Sequence, residues 1–138
     1  MKQPSENQES APGSLHELVG NQWFVDLVER FYQGIESDPL LRPMYPEDLT
    51  DSKKWLTLFL QQYWGGQHKY QELRGHPQLR MRHMPFEISS AESIAWMKHM
   101  TFAVKQGELP LEIEENVLEY FAKTAEHMIN KNETGLIL

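Results

Sequence analysis

The chain contains no cysteine, which excludes disulfides, zinc-thiolate sites, iron-sulfur clusters and thiol nucleophiles. Basic residues are also in short supply: 13 Lys and Arg stand against 20 Asp and Glu, a formal net charge of −7. Neutralising a phosphate backbone needs clustered cations, so nucleic acid is not an expected partner. No apolar run approaches the ~18 residues of a membrane span. The start, MKQPSENQESAPG, lacks the apolar stretch of a signal peptide, and a cytoplasmic protein is the expectation. Alternating β-branched runs, internal repeats and the nucleotide-binding or hydrolase motifs with fixed glycine spacing are missing as well.

What is present is helical. With 138 residues, 40% of them hydrophobic and 11% aromatic, the chain can bury a sizeable core as one domain. Residues 1–13 are polar and read as a flexible tail, 14–131 as the domain and 132–138 as a short tail. Ser14 and Glu17 form a capping-box pattern, and Gly20 closes a first short helix. A second runs from about Gln22 with Trp23, Leu27, Phe31 and Ile35 on its apolar face. Asp38-Pro39 signals a tight turn, and Pro43 and Pro46 bracket Met44 and Tyr45 in a corner. Asp51 is the expected cap of the next helix, whose stretch Trp55 to Trp64 is apolar on several faces. Gly65-Gly66 ends it, and the polar segment to Arg74 reads as a loop pinned by Tyr70 and Leu73. Ser89 and Glu92 open a helix with Ile94, Met97, Met100, Thr101 and Val104 in a stripe. Pro110 opens the last, with Val117, Phe121 and Met128 inward. The fold class read from this pattern is all-α.

The segment Leu79-Arg80-Met81-Arg82-His83-Met84-Pro85 carries the chemistry. A helix beginning near Pro77 and ended by Pro85 puts Leu79 and His83 on one face. There His83 can serve as a neutral nitrogen ligand beside a guanidinium suited to carboxylates such as haem propionates. The other histidines make poorer ligands. His76 is about 10 Å away along a helix axis, no pair shows the four-residue spacing of a zinc site, and His16, His68, His99 and His127 read as surface residues.

Phe31-Tyr32, Met44-Tyr45-Pro46-Glu47-Asp48, Tyr63-Trp64-Gly65-Gly66, Arg74-Gly75-His76-Pro77, Leu79 to His83 and Trp96 occur in the order and spacing of a known family. The chain resembles the group II truncated haemoglobins, particularly the actinobacterial type, over roughly residues 14 to 131. The resemblance implies a globin-like two-over-two helical sandwich around haem b. It assigns His83 as proximal iron ligand, Tyr32, Tyr45 and Trp96 as distal donors, and Ser52 as the small residue at the distal gate. Phe31, Leu56, Phe59 and Leu79 would wall the pocket, and Arg82 would pair with a propionate. Trp55 stands where an arginine to the other propionate is common, with Lys53 and Lys54 as substitutes. The corner after Tyr45 is one residue shorter than in the family, and Gly20-Asn21 replaces a double glycine.

The implied ligands are dioxygen, nitric oxide, carbon monoxide and, on the same pocket, hydrogen peroxide. Donors aimed at a ligand that takes on negative charge are worth about 1.5 to 3 kcal/mol each, and two would slow oxygen release about a hundredfold. That suits a sensor, a store or a redox catalyst better than a shuttle. The alternative is an enzyme, a nitric oxide dioxygenase or peroxidase, drawing on an external reductase because the chain has no flavin or nicotinamide domain.

Overall fold

The computed structural model describes residues 10–131; the tail expectations for 1–9 and 132–138 fall outside them. Six α-helices follow in order, and no strand occurs among the described residues: α1 Leu15–Glu36, α2 Thr50–Tyr63, α3 Lys69–Arg74, α4 Leu79–His83, α5 Ser90–Lys105 and α6 Leu111–His127, with a 3-10 turn at Arg42–Met44. Two compact units result. The chain to Glu29 with Glu47–Pro77 forms the first, and Arg30–Pro46 with the chain from Gln78 forms the second.

In the first unit, Gly20 breaks α1 with φ 77° and ψ 176°, a backbone that a side chain would oppose. Phe24 is fully buried and stacks between His16 at 5.9 Å and Trp64 at 6.2 Å between ring centroids. His16 is therefore not the surface residue its polar neighbours suggest. It is wholly buried, contacts Ser10 Oγ through Nδ1, and meets Asn21 Oδ1 at 2.5 Å through Nε2. Gly66 makes room for it: a Cβ there would sit 2.8 to 2.9 Å from the imidazole. The tie extends upstream of Ser14, where Ala11 N–H donates to the Gly65 carbonyl at 2.7 Å.

The segment before Arg74 is a helix and not a loop. Lys69 to Arg74 are good helix formers, Gln62 Oε1 accepts the Gln71 N–H at 2.9 Å, and buried Tyr70 packs edge-on to Trp55 and Phe59. Leu73, expected to help pin the segment, is 59% exposed. Asp48 replaces Asp51 as the oxygen that starts α2, accepting the Thr50 N–H at 2.9 Å. That helix is less enclosed than its composition suggests, since only Phe59 and Leu60 are buried and Tyr63 is exposed.

In the second unit, α5 and α6 pack together. Met100, Ala103 and Val104 face inward from α5, and Val117, Phe121 and Ala125 from α6. Because α5 buries its second half, Ile94 in the second turn stays in solvent, contrary to the stripe. Ser89 and Glu92 form the reciprocal cap expected of them. The left-handed Gln78, φ 46°, holds off helix formation until Leu79, two residues later than the proline signal implied. No described helix is long and apolar enough to cross a membrane.

Candidate functional site

The candidate proximal histidine lies on α4, a helix of little more than one turn that needs outside support. His83 is partly buried, and its Nδ1 meets the carbonyl oxygen of Leu79 at 2.6 Å. Only a protonated Nδ1 donates to a carbonyl, which leaves the Nε2 lone pair available to a metal. Arg80 fastens the helix to the end of α6, donating from Nε to the His127 carbonyl at 3.1 Å and from Nη2 to that of Ile129 at 3.2 Å. Arg82 stays half-exposed beside the imidazole.

Asn130 is the residue that sequence reasoning missed. It is buried, accepts the Ile88 N–H at 2.9 Å, and donates to the carbonyls of Phe86 at 2.8 Å and His83 at 3.3 Å. One amide thus closes the turn that follows the imidazole. Nothing in the local pattern around Asn130 signals this, since the partners lie 42 to 47 residues upstream. Replacing it with Ala strands one buried N–H, at about 1 to 3 kcal/mol before relaxation, and frees two part-buried carbonyls. Asn130→Ala is expected to lower unfolding free energy by about 2 to 4 kcal/mol in urea. A loss below about 0.5 kcal/mol, the level of an ordinary surface change, would show that water replaces the amide.

The distal candidates converge in the same unit. Tyr32 is buried, and its ring meets that of Tyr45 edge-on at 5.5 Å. Phe31 lies 5.1 Å from both the Tyr32 and Trp96 rings, and Phe121 backs Trp96 at 5.9 Å. Tyr45 keeps part of its surface in solvent, but its phenolic end is enclosed. Burial pushes its pKa up to about 12, against a hydrogen bond from Trp96 that favours the anion. Since an indole nitrogen can only donate, the Tyr45 oxygen is the acceptor in that contact. The corner bearing Tyr45 is stiffened by Arg42, whose Nη1 donates to the carbonyls of Tyr45 at 3.3 Å and Pro46 at 3.0 Å. A groove of about 360 Å³ lined by Leu40, Pro43, Met44, Pro85, Phe86 and others joins residues adjoining Tyr45 to residues adjoining His83.

Ser52, Leu56 and Phe59 belong to the first unit. Ser52 and Leu56 are partly exposed in the opening turns of α2, and Phe59 is buried against Tyr70. Of the cations near Trp55, Lys53 pairs with Glu29 at 2.9 Å, while Lys54 and Arg74 lie over the Trp55 ring at 4.8 and 4.6 Å. His99, expected at the surface, is instead mostly covered and bonds Asp38.

Among the described residues no cluster of three or more His, Asp or Glu could by itself hold a metal ion. Met81, Met84 and Phe86, near His83 in the chain, are exposed apolar residues, and an imidazole whose Nδ1 is committed to a carbonyl fits a haem.

Helices throughout the described residues, with such a histidine and an aromatic cluster in one compact unit, are what a globin has. A family model for bacterial-like globins matches residues 14–130. The Group 2 truncated hemoglobin YjbI of Bacillus subtilis is 40% identical over 118 residues, 86% of this chain and 89% of that one. Among solved structures, a thermostable haemoglobin from the actinobacterium Thermobifida fusca is 46% identical with a TM-score of 0.83, over 85% of this chain and 97% of that one. The group II truncated hemoglobin of Bacillus anthracis is 39% identical with a TM-score of 0.84, over 88% and 100%. This chain belongs to the bacterial-like globins as a group II truncated haemoglobin, with the two-over-two fold and the haem cofactor that membership implies.

Proposed function

We propose that the chain reversibly binds dioxygen, and likewise carbon monoxide and nitric oxide, at a haem b whose iron is held by Nε2 of His83. The iron supplies the site at which a diatomic gas is held. Tyr45, Trp96 and Tyr32 keep the ligand there; Phe31, Leu56, Phe59 and Leu79 wall the pocket, and Arg82 pairs with a propionate.

The observation that carries this reading is the convergence of Tyr32, Tyr45, Phe31 and Trp96 in one aromatic cluster, with the phenol of Tyr45 enclosed within it. An indole approaching the Tyr45 oxygen can only donate to it, which leaves the hydroxyl proton for a guest. A hydroxyl that ionises only near 12 stays a donor throughout the physiological range, and donation from a group already accepting a bond is strengthened. A Bacillus subtilis relative with 39% identity and a TM-score of 0.81 is described as an oxygen-avid truncated haemoglobin, which agrees with retention as the role. Stopped-flow oxygen dissociation from the ferrous protein tests the reading. Slow release supports it, whereas a protein without a Soret band, or with one that carbon monoxide leaves unchanged, refutes it.

Ser52 is the proposed distal gate. A Leu there is expected to slow carbon monoxide association about tenfold, the consequence of a barrier ~1.4 kcal/mol higher, with haem content unchanged. Flash photolysis gives the rate directly. Parent-like association in Ser52→Leu would mean that ligands enter elsewhere.

A further inference from the structure

We propose that His99 and Asp38 act as a positioning pair for the distal donors, setting the approach of Trp96 to Tyr45. The inference rests on the reading of those two residues as ligand donors given above.

His99 Nε2 meets Asp38 Oδ2 at 2.6 Å across 61 residues of sequence. Each partner is fixed to one of the two segments that must meet. On one side, His99 lies three residues after Trp96 in α5, one helical turn along the same face. Its ring fits against α1 only because residue 34 is glycine: a Cβ on Gly34 would stand 2.4 Å from Nδ1. Gly34 in turn sits two residues after Tyr32.

On the other side, Asp38 organises the corner. Its Oδ1 accepts the N–H groups of Leu40 at 2.9 Å and Leu41 at 3.2 Å, and its backbone carbonyl accepts the Arg42 N–H at 2.8 Å. The turn so fixed leads through Arg42–Met44 to Tyr45. One carboxylate therefore caps the tyrosine's corner with one oxygen and receives the tryptophan's helix with the other. The His99 bond, with the two backbone N–H groups, holds this carboxyl below its ordinary pKa, so the acceptor is charged at neutral pH.

The donors need this tether because donation from the indole to the phenol is directional and weakens steeply with misalignment. Aromatic packing among Phe31, Tyr32, Trp96 and Phe121 is tolerant of small slides, whereas a charge-assisted bond at 2.6 Å is directional. His99 and Asp38 touch no ligand themselves; their effect passes through Trp96 and Tyr45.

The test follows the Trp96 indole proton by hydrogen exchange in NMR spectra of the ferrous carbon monoxide form, assigned among the four tryptophans by its loss in Trp96→Phe. His99→Leu removes the donor, and Asp38→Ser keeps an oxygen for the corner while removing the one that His99 reaches. Both variants are expected to speed indole exchange and oxygen dissociation about tenfold, the scale of one charge-assisted bond. His99→Gln carries an amide donor of similar reach and should bring both rates back to within about twofold of the parent, well inside that scale. Phe24→Leu, which loosens the core of the other compact unit, controls for general loss of stability. Unchanged exchange in His99→Leu and Asp38→Ser overturns the proposal, as does equal acceleration in Phe24→Leu or failure of Gln to restore. Should the purified protein carry no haem, the haem reading fails on its Soret band alone, and indole exchange in the same samples still decides the tether.

Discussion

His83→Ala should purify with haem per chain reduced at least tenfold, while His76→Ala keeps the parent ratio. Loss of an outer-shell partner to a metal ligand already costs about 10- to 100-fold in affinity, and here the ligand itself is removed. His83 is singled out by its support. Its Nδ1 is committed to Leu79, and its carbonyl is held by Asn130. His76 is exposed and has no comparable setting. Absorbance at the Soret band against protein concentration after gel filtration provides the ratio. Free imidazole added to His83→Ala should restore part of the haem, because it returns the missing nitrogen to a cavity of its own shape. Equal retention in the two variants would remove His83 from the iron.

Trp96→Phe should release oxygen about ten- to a hundredfold faster, the range for one lost bond to a charged acceptor. Tyr45→Phe should do the same, and the double variant should be scarcely faster than either alone. That non-additivity follows from geometry, since the indole donates to the phenol and residues in one network are coupled. Two independent donors would multiply their effects instead. The phenol adds a second readout: the Trp96 bond favours the anion, so its removal should move the Tyr45 pKa above about 12. Ultraviolet titration of tyrosinate follows that shift. An unchanged off-rate in Trp96→Phe would make the tryptophan a packing residue.

The difference between what could be read along the chain and what could not is plain in α5 and α3. The capping box of Ser89 and Glu92 is local, its partners three residues apart, and so it is visible in sequence. The helix Lys69–Arg74 depends on Tyr70 entering a cage with Trp55 and Phe59, contacts that no window of neighbours contains. His16 and His99 failed as surface residues for the same reason. Room for each is created by a glycine far along the chain, Gly66 in one case and Gly34 in the other.

Sequence by itself determined the helical class, the break at Gly20, the aromatic and histidine candidates and, through ordered motifs, the family. Those features rest on backbone preference and periodicity, which act within a few residues. Tertiary structure decided that Asn130 holds the turn after His83, that Trp96 and Tyr45 share one aromatic cluster, and that His99 reaches Asp38. The Asn130 and His99 bonds join atoms 42 to 61 residues apart, and their directions exist only once the packed helices bring donor and acceptor within 3 Å or so.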